Sequence, residues 1–171
     1  MKTLFLIRHA KSSWKDLTLD DFDRPLNKRG KHDAPFMAKN LQEKGVSLDL
    51  IISSPALRAR KTSEKFAKCF GLKNKQLIWK KKIYEARESE LLKIIKNINP
   101  KHSSIALVGH NPEITNFSNA LCNKYIYNIP TTGIVEIQFD INDWSKIREK
   151  SGRFISFDYP KKYVSDSLDE C

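Results

Sequence analysis

Two short apolar runs, at residues 4–7 and 105–108, constrain the fold more than any other feature of this chain. Continuous apolar runs of this length are typical of strands that are buried on both faces, and they are far too short to cross a membrane. Segments with helical spacing of apolar residues lie between these and further strand-like segments. Strands that alternate with helices predict an α/β fold in which a mainly parallel central sheet carries helices on both faces.

The predicted elements follow one another without an internal repeat or a linker. Strands are predicted at residues 3–7, 48–53, 104–108, 135–139 and 154–157, with an extended segment at 76–84. Helices are predicted at residues 30–44, 55–70 and 88–97, and after Pro112. We expect a single domain over residues 1–171, because a chain of this length suits one core. The short stretch between Leu57 and the third strand leaves little room for a cap domain, so none of large size is expected.

The charge of the chain favours anionic partners. Thirty-one basic and 20 acidic residues give a formal net charge of +11. The basic residues are scattered, apart from short clusters at 80–82 and 161–162, so we predict a solvated basic surface around an anion-binding site rather than a nucleic-acid-binding protein. The alternative from another functional class is a non-catalytic module that binds RNA or another polyanion, although RNP-like, KH-type and zinc-finger patterns are missing.

The cysteines and the N-terminal sequence indicate the cellular compartment in which the protein is expected. Cys69, Cys122 and Cys171 are an odd number without C-x-x-C spacing, so neither a disulfide framework nor a zinc site is predicted. Two of these thiols are expected in the core and one at the terminus. The chain begins without a signal-peptide pattern and has no membrane-length apolar run, so we expect a cytoplasmic protein without membrane association.

Polar residues follow three of the predicted strands at the points where they end. Arg8 and His9 end the first strand, Arg58 lies in the first turn of the helix after the second, and His110 follows the strand at 104–108. Ligands of such sheets bind beyond the carboxyl ends of the strands. These four side chains are therefore predicted to converge in one site.

This set of residues predicts phosphoryl transfer without a metal or cofactor. Arg8 and Arg58 suit a phosphate dianion, because guanidinium groups bind it through planar, bidentate hydrogen bonds. A neutral His9 can attack phosphorus, and nearby guanidinium groups disfavour its protonation. His110 can donate to a phosphoryl oxygen as negative charge shifts in the transition state.

Other hydrolase classes lack their motifs in this chain. Neither Cys69 nor Cys122 is followed six residues later by the arginine of a C-x5-R phosphatase, and no G-x-x-x-x-G-K-[ST] loop is present. The four histidines show no H-x-x-x-H pairing, so no metal site is expected. His32 and His102 are predicted at the surface.

Three ordered blocks resemble the histidine phosphatase superfamily. Residues 6–10, Leu-Ile-Arg-His-Ala, resemble its Arg-His-Gly signature, with Ala10 in place of glycine. Residues 53–62, Ser-Ser-Pro-Ala-Leu-Arg-Ala-Arg-Lys-Thr, resemble its second block. Residues 108–112, Val-Gly-His-Asn-Pro, resemble the block that bears the second histidine.

Two further stretches resemble the SixA-type branch of this superfamily. They are Asp-Arg-Pro-Leu-Asn-Lys-Arg-Gly at residues 23–30 and Pro-Thr-Thr-Gly at 130–133. The named activity of this branch is removal of phosphate from phosphohistidine in signalling proteins. The resemblance implies the histidine phosphatase fold, shared with phosphoglycerate mutases, and a phosphorylated protein substrate such as a histidine-phosphotransfer domain. The alternative is promiscuous hydrolysis of small phosphomonoesters; no oligomeric state is predicted.

The resemblance also implies roles for individual residues. Arg8, Arg58 and His110 would form the phosphate pocket, and His9 would be the nucleophile. Larger members of the superfamily use an acidic residue as proton donor, and Glu85, after the third predicted strand, is the candidate here. A solvent-facing Glu85 is the alternative, and two residues of the acidic loop, Asp20 and Asp21, are outside candidates for the same role.

Overall fold

A computed structural model, which describes residues 1–164, shows a six-stranded sheet with four helices. The strands are β1 (Lys2–Arg8), β2 (Leu50–Ser53), β3 (Leu77–Trp79), β4 (Ser104–Gly109), β5 (Ile134–Phe139) and β6 (Arg153–Asp158). The helices are α1 (Lys28–Glu43), α2 (Leu57–Cys69), α3 (Glu88–Lys96) and α4 (Glu113–Leu121). Within the described residues, no helix combines the length and the apolar composition that a membrane span requires.

The strand order is β3-β2-β4-β1-β5-β6, and the sheet is mainly parallel, as predicted. The first four strands run parallel, whereas β5 and β6 add an antiparallel edge beside β1. Arg8 lies level with Gly109 of β4, and Ser53 of β2 lies level with Val108. The carboxyl ends of three neighbouring strands therefore meet at one edge of the sheet.

Side chains of β1 alternate between two cores. Leu4 and Leu6 pack in the core that includes residues of α3 and α4, whereas Phe5 and Ile7 pack against α1 and α2. All four are buried. Burial of each such side chain stabilises the fold by about 1.5–3 kcal/mol, so both faces of the sheet need their covering helices. The predicted helices on both faces are confirmed.

The segment at 76–84 is less extended than predicted. Only Leu77–Trp79 forms a strand, and a 3₁₀ turn follows at Lys81–Ile83. β3 is an edge strand, so β2 alone supplies hydrogen-bonding partners in the sheet. Ile83 is buried in the core, and the turn that carries it there ends the extended segment.

The start of α1 differs from its predicted position at residue 30. The helix begins at Lys28, because the Asn27 side chain accepts a hydrogen bond from the Gly30 N–H at 2.9 Å and caps the first turn. Gly30 also packs against the backbone that follows β1, and a Cβ at this position would collide with the carbonyl oxygen of Lys11.

The burial of the cysteines and of two histidines can be compared with their predicted positions. Cys122 is buried, but Cys69 is half-buried rather than in the core, because it lies at the exposed end of α2. Cys171 lies outside the described residues. His32 is exposed as predicted, and His102 is partly exposed.

Gly30→Ala tests the close contact between α1 and the segment after β1. Helix propensity alone would make alanine stabilising by about 1 kcal/mol at this position. We expect destabilisation by about 1–3 kcal/mol, because the new methyl group displaces the Lys11 carbonyl. Urea unfolding provides the measurement, with Lys31→Ala on the exposed face of α1 as the control. A stabilised Gly30→Ala protein would contradict the contact.

Candidate active site

The ends of β1 and β4 place two histidines side by side. His9 follows β1, and its backbone N–H donates to the Gly109 carbonyl at 3.1 Å. His110 directly follows Gly109, and the centroids of the two imidazole rings are 5.1 Å apart. Each histidine is only 7% exposed. The parallel pairing of the two strands thus brings together residues that lie about a hundred positions apart in the sequence.

Arg58 joins the histidines from the first turn of α2. It is buried, and its Nε lies 3.4 Å from Nε2 of His9. The helix begins at Leu57, two residues later than the predicted start at Pro55. Ser54 does not cap the helix: its Oγ accepts from the Ala56 N–H at 3.2 Å and lies 2.8 Å from Nε2 of His110.

Hydrogen bonding determines which ring nitrogen of His9 carries the proton. Nδ1 lies 2.7 Å from the Ala10 carbonyl oxygen, which can only accept, so Nδ1 carries the proton. Nε2 is then unprotonated, and its lone pair accepts a hydrogen bond from Nε of Arg58 at 3.4 Å. Burial lowers the pKa of His9 well below its usual value, and His110, Arg58 and Arg8 lower it further. His9 is therefore a neutral base at pH 7, in the form that a nucleophile requires.

His110 is also held neutral. Burial, followed by the positive charge of Arg58, lowers its pKa to about 3. Its Nδ1 is buried without a hydrogen-bond partner among residues 1–164, and the same holds for Nε of Arg8. Nη1 of Arg8 donates to the Ile129 carbonyl at 3.0 Å. Unpaired buried polar groups are costly, so two of them beside an unprotonated histidine favour a polar ligand there.

A carboxylate from the acidic loop completes the site. Asp21 begins a 3₁₀ turn, and its backbone carbonyl and Oδ2 accept from the two Nη groups of Arg58 at 2.6 and 2.9 Å. Tyr84 donates to Oδ2 at 2.7 Å, and Arg24 donates to Oδ1 at 2.9 Å. Burial acts to raise the pKa of Asp21, but these hydrogen bonds outweigh it and hold the pKa well below its usual range. Asp21 is thus ionised and cannot release a proton.

The sequence carried one local signal for Asp21. Its ion pair with Arg24 spans three positions, a spacing that suits a turn of helix, but nothing in this spacing points to Arg58. The main candidate for the acidic role, Glu85, is exposed and follows Tyr84, whose ring lies 5.4 Å from that of His110. The structure therefore places Glu85 at the rim and Asp21 against Arg58.

Thr132 holds the end of β1 through its backbone. Its N–H lies within hydrogen-bonding distance of both the Arg8 and the His9 carbonyls, at 3.0 and 3.2 Å. Its φ of 60° lies in the left-handed region, which is unusual for a β-branched residue. Such strained backbone is concentrated at functional sites, where the surrounding structure maintains it.

The buried histidines and arginines, rather than the size of a cavity, identify this site. A cavity of about 750 Å³ lies elsewhere, between β3 and α3, and none of the site histidines or arginines lines it. Within residues 1–164, no three His, Cys, Asp or Glu side chains are grouped to hold a metal ion.

Comparisons with known proteins agree with this geometry. A sequence model of the histidine phosphatase superfamily (branch 1) matches residues 4–86. An uncharacterized chloroplastic protein of Arabidopsis thaliana is 32% identical over 159 residues, which cover 88% of this chain and 72% of that protein. This chain belongs to the histidine phosphatase superfamily. An uncharacterized protein of Mycobacterium tuberculosis is 24% identical over 91% of this chain and all of its own length.

Solved structures place the chain in the SixA-type branch of the superfamily. The crystal structure of a candidate phosphohistidine phosphatase SixA from Agrobacterium tumefaciens is 28% identical, with a TM-score of 0.79. The match covers 93% of this chain and 98% of that one. A protein histidine phosphatase SixA, complexed with tungstate, is 21% identical and shares the fold, with a TM-score of 0.77 over 91% and 95% of the two chains. The chain is a phosphatase of this superfamily.

Unfolding at mildly acidic pH tests the neutral state of His110. Below its ordinary pKa of 6.5 the residue gains a proton in the unfolded chain, but in the folded site it stays neutral down to about pH 3. The unfolded state therefore binds more protons, and stability falls as the pH falls through this window. We expect His110→Gln to reduce the slope between pH 4.5 and 6 by up to about 1.4 kcal/mol per pH unit.

Urea unfolding at a series of pH values measures this slope. The control is Lys31→Gln, a substitution at an exposed position on α1 that leaves all four histidines in place and should keep the wild-type slope. An unchanged slope in His110→Gln would show that the buried imidazole takes up its proton as readily as an exposed one.

Proposed function

We propose that the protein removes the phosphoryl group from phosphohistidine on a protein, through a phosphohistidine intermediate on His9. The observation that carries this proposal is the state of His9: its Nε2 is unprotonated and lies against the Arg58 guanidinium. The unpaired nitrogens of Arg8 and His110 lie in the same site. Together they provide a nucleophile and donors for a phosphoryl group.

The phosphoryl oxygens would be bound by Arg8, Arg58 and His110. Arg8 and Arg58 supply charge-assisted hydrogen bonds, which are the strongest available to a phosphate. Arg58 lies in the first turn of α2, where free N–H groups and the helix dipole also favour an anion. His110 would donate from Nδ1 if Ser54 donates its hydroxyl proton to Nε2, as the 2.8 Å contact allows.

In the first step, Nε2 of His9 attacks phosphorus in line and the bond from phosphorus to the substrate imidazole breaks. The substrate ring takes a proton from solvent on its other nitrogen before this bond breaks, so it leaves as neutral imidazole. A water molecule then attacks the phosphorus on His9 and the bond from phosphorus to Nε2 breaks, which releases dihydrogen phosphate and restores neutral His9 with its proton still on Nδ1. The arginines and histidines carry the charge in both steps, so the mechanism that we propose needs no metal.

The leaving group favours phosphohistidine over alkyl esters. Because imidazole has a pKa of roughly 6.5, the phosphorylated ring can be protonated from water near neutral pH and then leaves as a neutral ring, whereas an alkoxide needs a positioned acid. Asp21 is ionised and cannot serve as that acid in the resting site. Similarity to a candidate phosphohistidine phosphatase points the same way, and a histidine-phosphotransfer domain is a suitable substrate. Membership of an enzyme superfamily argues against the non-catalytic, RNA-binding alternative.

Removal of the nucleophile tests the proposed function. We expect His9→Ala to lower kcat by about 10⁴-fold or more on phosphohistidine and on p-nitrophenyl phosphate. Wild-type protein mixed with labelled substrate and quenched in alkaline denaturant should carry acid-labile phosphate on His9. EDTA is present throughout, and tungstate, a tetrahedral oxyanion, should inhibit.

The matched control is His32→Ala, which removes an exposed histidine and should keep full activity. Activity of His9→Ala close to wild type would contradict the assignment of the nucleophile. Loss of wild-type activity in EDTA, restored by a divalent ion, would contradict the metal-free mechanism.

Paired substrates separate the roles of Glu85 and Asp21. If Glu85 protonates alkoxide leaving groups, Glu85→Gln should slow hydrolysis of an alkyl phosphate by about 10²- to 10⁴-fold and change phosphohistidine hydrolysis little. Asp21→Asn should slow both reactions by a similar factor, because it weakens the contacts that hold Arg58. The measurement is kcat/KM on each substrate, with Glu43→Gln, an exposed carboxylate on α1, as control.

The pattern of losses decides between the roles. Equal losses of Glu85→Gln on both substrates would assign Glu85 a positioning role, and no loss on either would leave it a solvent-facing residue. A loss confined to phosphohistidine would contradict the leaving-group argument. A loss confined to the ester in Asp21→Asn would make Asp21 the proton donor instead.

A further inference from the structure

Another cavity opens beside the phosphate pocket, on the side of Arg8. It has a volume of about 280 Å³, and four of its lining residues are basic: Arg8, Lys11, Arg29 and Lys161. Among the described residues that line it, none is acidic. We call these four residues the basic groove. Arg8 belongs to both the basic groove and the phosphate pocket. An anion in the groove would therefore lie next to the substrate phosphoryl group.

The turn before α1 builds one wall of the groove. The Lys11 carbonyl accepts a hydrogen bond from the Asn27 N–H at 3.0 Å, and Gly30 packs directly against the same carbonyl. These contacts hold the first turn of α1, which carries Arg29, beside Lys11. The same glycine contact that positions α1 therefore also places two cations together.

The segment after β6 supplies the opposite wall. Lys161 lies in a 3₁₀ turn at Pro160–Tyr163. Asp158, at the end of β6, anchors this turn, because its Oδ2 accepts from Nζ of Lys44 at 2.7 Å and from the Tyr163 hydroxyl at 2.5 Å. The turn is thus fixed to the body of the protein, and the position of Lys161 is built into the fold.

The charges of the groove are poorly balanced. Lys11 and Lys161 form no ion pair within residues 1–164. Arg29 pairs with Asp33 only through Nε, at 3.4 Å, and its side chain is 52% exposed. Like charges held close together repel each other, and an anion bound among them removes that repulsion. The groove is therefore suited to carboxylate groups.

Exposed aromatic side chains near the site point to a protein partner. Tyr125 and Tyr127 are 72% and 88% exposed, in the loop that leads to Asn128 in the lining of the groove. Trp14, 67% exposed, packs on Arg24, with the guanidinium carbon 3.2 Å from its ring centroid. Large exposed aromatic residues beside a functional site are typical of surfaces that bind another protein.

We propose that the basic groove binds acidic side chains that flank the phosphohistidine of a protein substrate. This inference rests on the proposed function and narrows its substrate class. It makes the groove, rather than the phosphate pocket, the source of selectivity among phosphorylated proteins.

Two peptides of equal length, each phosphorylated chemically on one histidine, test this proposal. One has Asp and Glu on both sides of the phosphohistidine, and the other has Asn and Gln. We expect wild type to prefer the acidic peptide through a lower KM. The triple variant Lys11→Gln, Arg29→Gln, Lys161→Gln should reduce the acidic-to-neutral ratio of kcat/KM by about tenfold, since each exposed ion pair contributes roughly two- to fivefold.

A second triple variant, Lys65→Gln, Lys68→Gln, Lys93→Gln, removes the same charge from exposed helix positions outside the groove and should keep the wild-type ratio. The wild-type preference should also weaken between 50 and 300 mM salt, because screening reduces such contacts. Equal KM values for the two peptides, or equal effects of the two triple variants, would overturn the proposal.

Fructose 1,6-bisphosphate provides a further comparison as a small substrate with a second phosphate. If the groove variant slowed its hydrolysis but left the acidic peptide's preference intact, the groove would serve small bisphosphates and the proposal would be wrong. Failure of wild type to hydrolyse phosphohistidine in any form would instead refute the proposed function. The two failures are therefore distinguishable.

Discussion

The parallel pairing of β1 with β4 is the constraint on which the site depends. It sets Arg8 level with Gly109, so that the residues after each strand, His9 and His110, emerge side by side at one edge. Apolar side chains on both faces of β1 maintain this register, since a slip by one residue would turn each core side chain toward the wrong layer. The chemistry is thus held in place by the most buried part of the protein.

Charge balance around Arg58 shapes the site. Its guanidinium faces an imidazole kept neutral by burial on one side and the Asp21 carboxylate on the other. Without Asp21, a buried cation would lie beside two histidines that cannot offset it, and a buried charge without a partner is costly. Asp21 also adds negative charge where a phosphoryl group is expected to bind. The site therefore combines a preformed anion pocket with a half-exposed carboxylate that holds Arg58 in position.

The surface around the pocket differs in character from the pocket itself. His9, Arg58 and His110 are buried and Arg8 is half-buried, whereas the three other cations of the groove, Lys11, Arg29 and Lys161, have exposed side chains. Rigid donors suit a phosphoryl group of fixed geometry. Flexible lysines suit acidic partners whose carboxylates vary in position. With phosphoryl transfer in the pocket and partner binding in the groove, the protein would act on a restricted set of protein substrates.

Much of the fold was predictable from local patterns. Apolar runs marked β1 and β4, helical spacing marked the covering helices, and the rule that ligands bind at the carboxyl ends of strands pointed to His9, Arg58 and His110. The boundaries were less predictable. The start of α1 depends on the Asn27 cap, and the short β3 depends on its edge position, which is a property of the whole sheet.

The sequence by itself determined the layered α/β sheet and the residues at its carboxyl edge, because periodicity and strand ends are local properties of the chain. Only the tertiary structure decided that Asp21 rather than Glu85 lies against Arg58 and that Lys11, Arg29 and Lys161 share one groove. These contacts join side chains far apart in the sequence. Their energies depend on distance and burial, and both quantities exist only once the chain has packed.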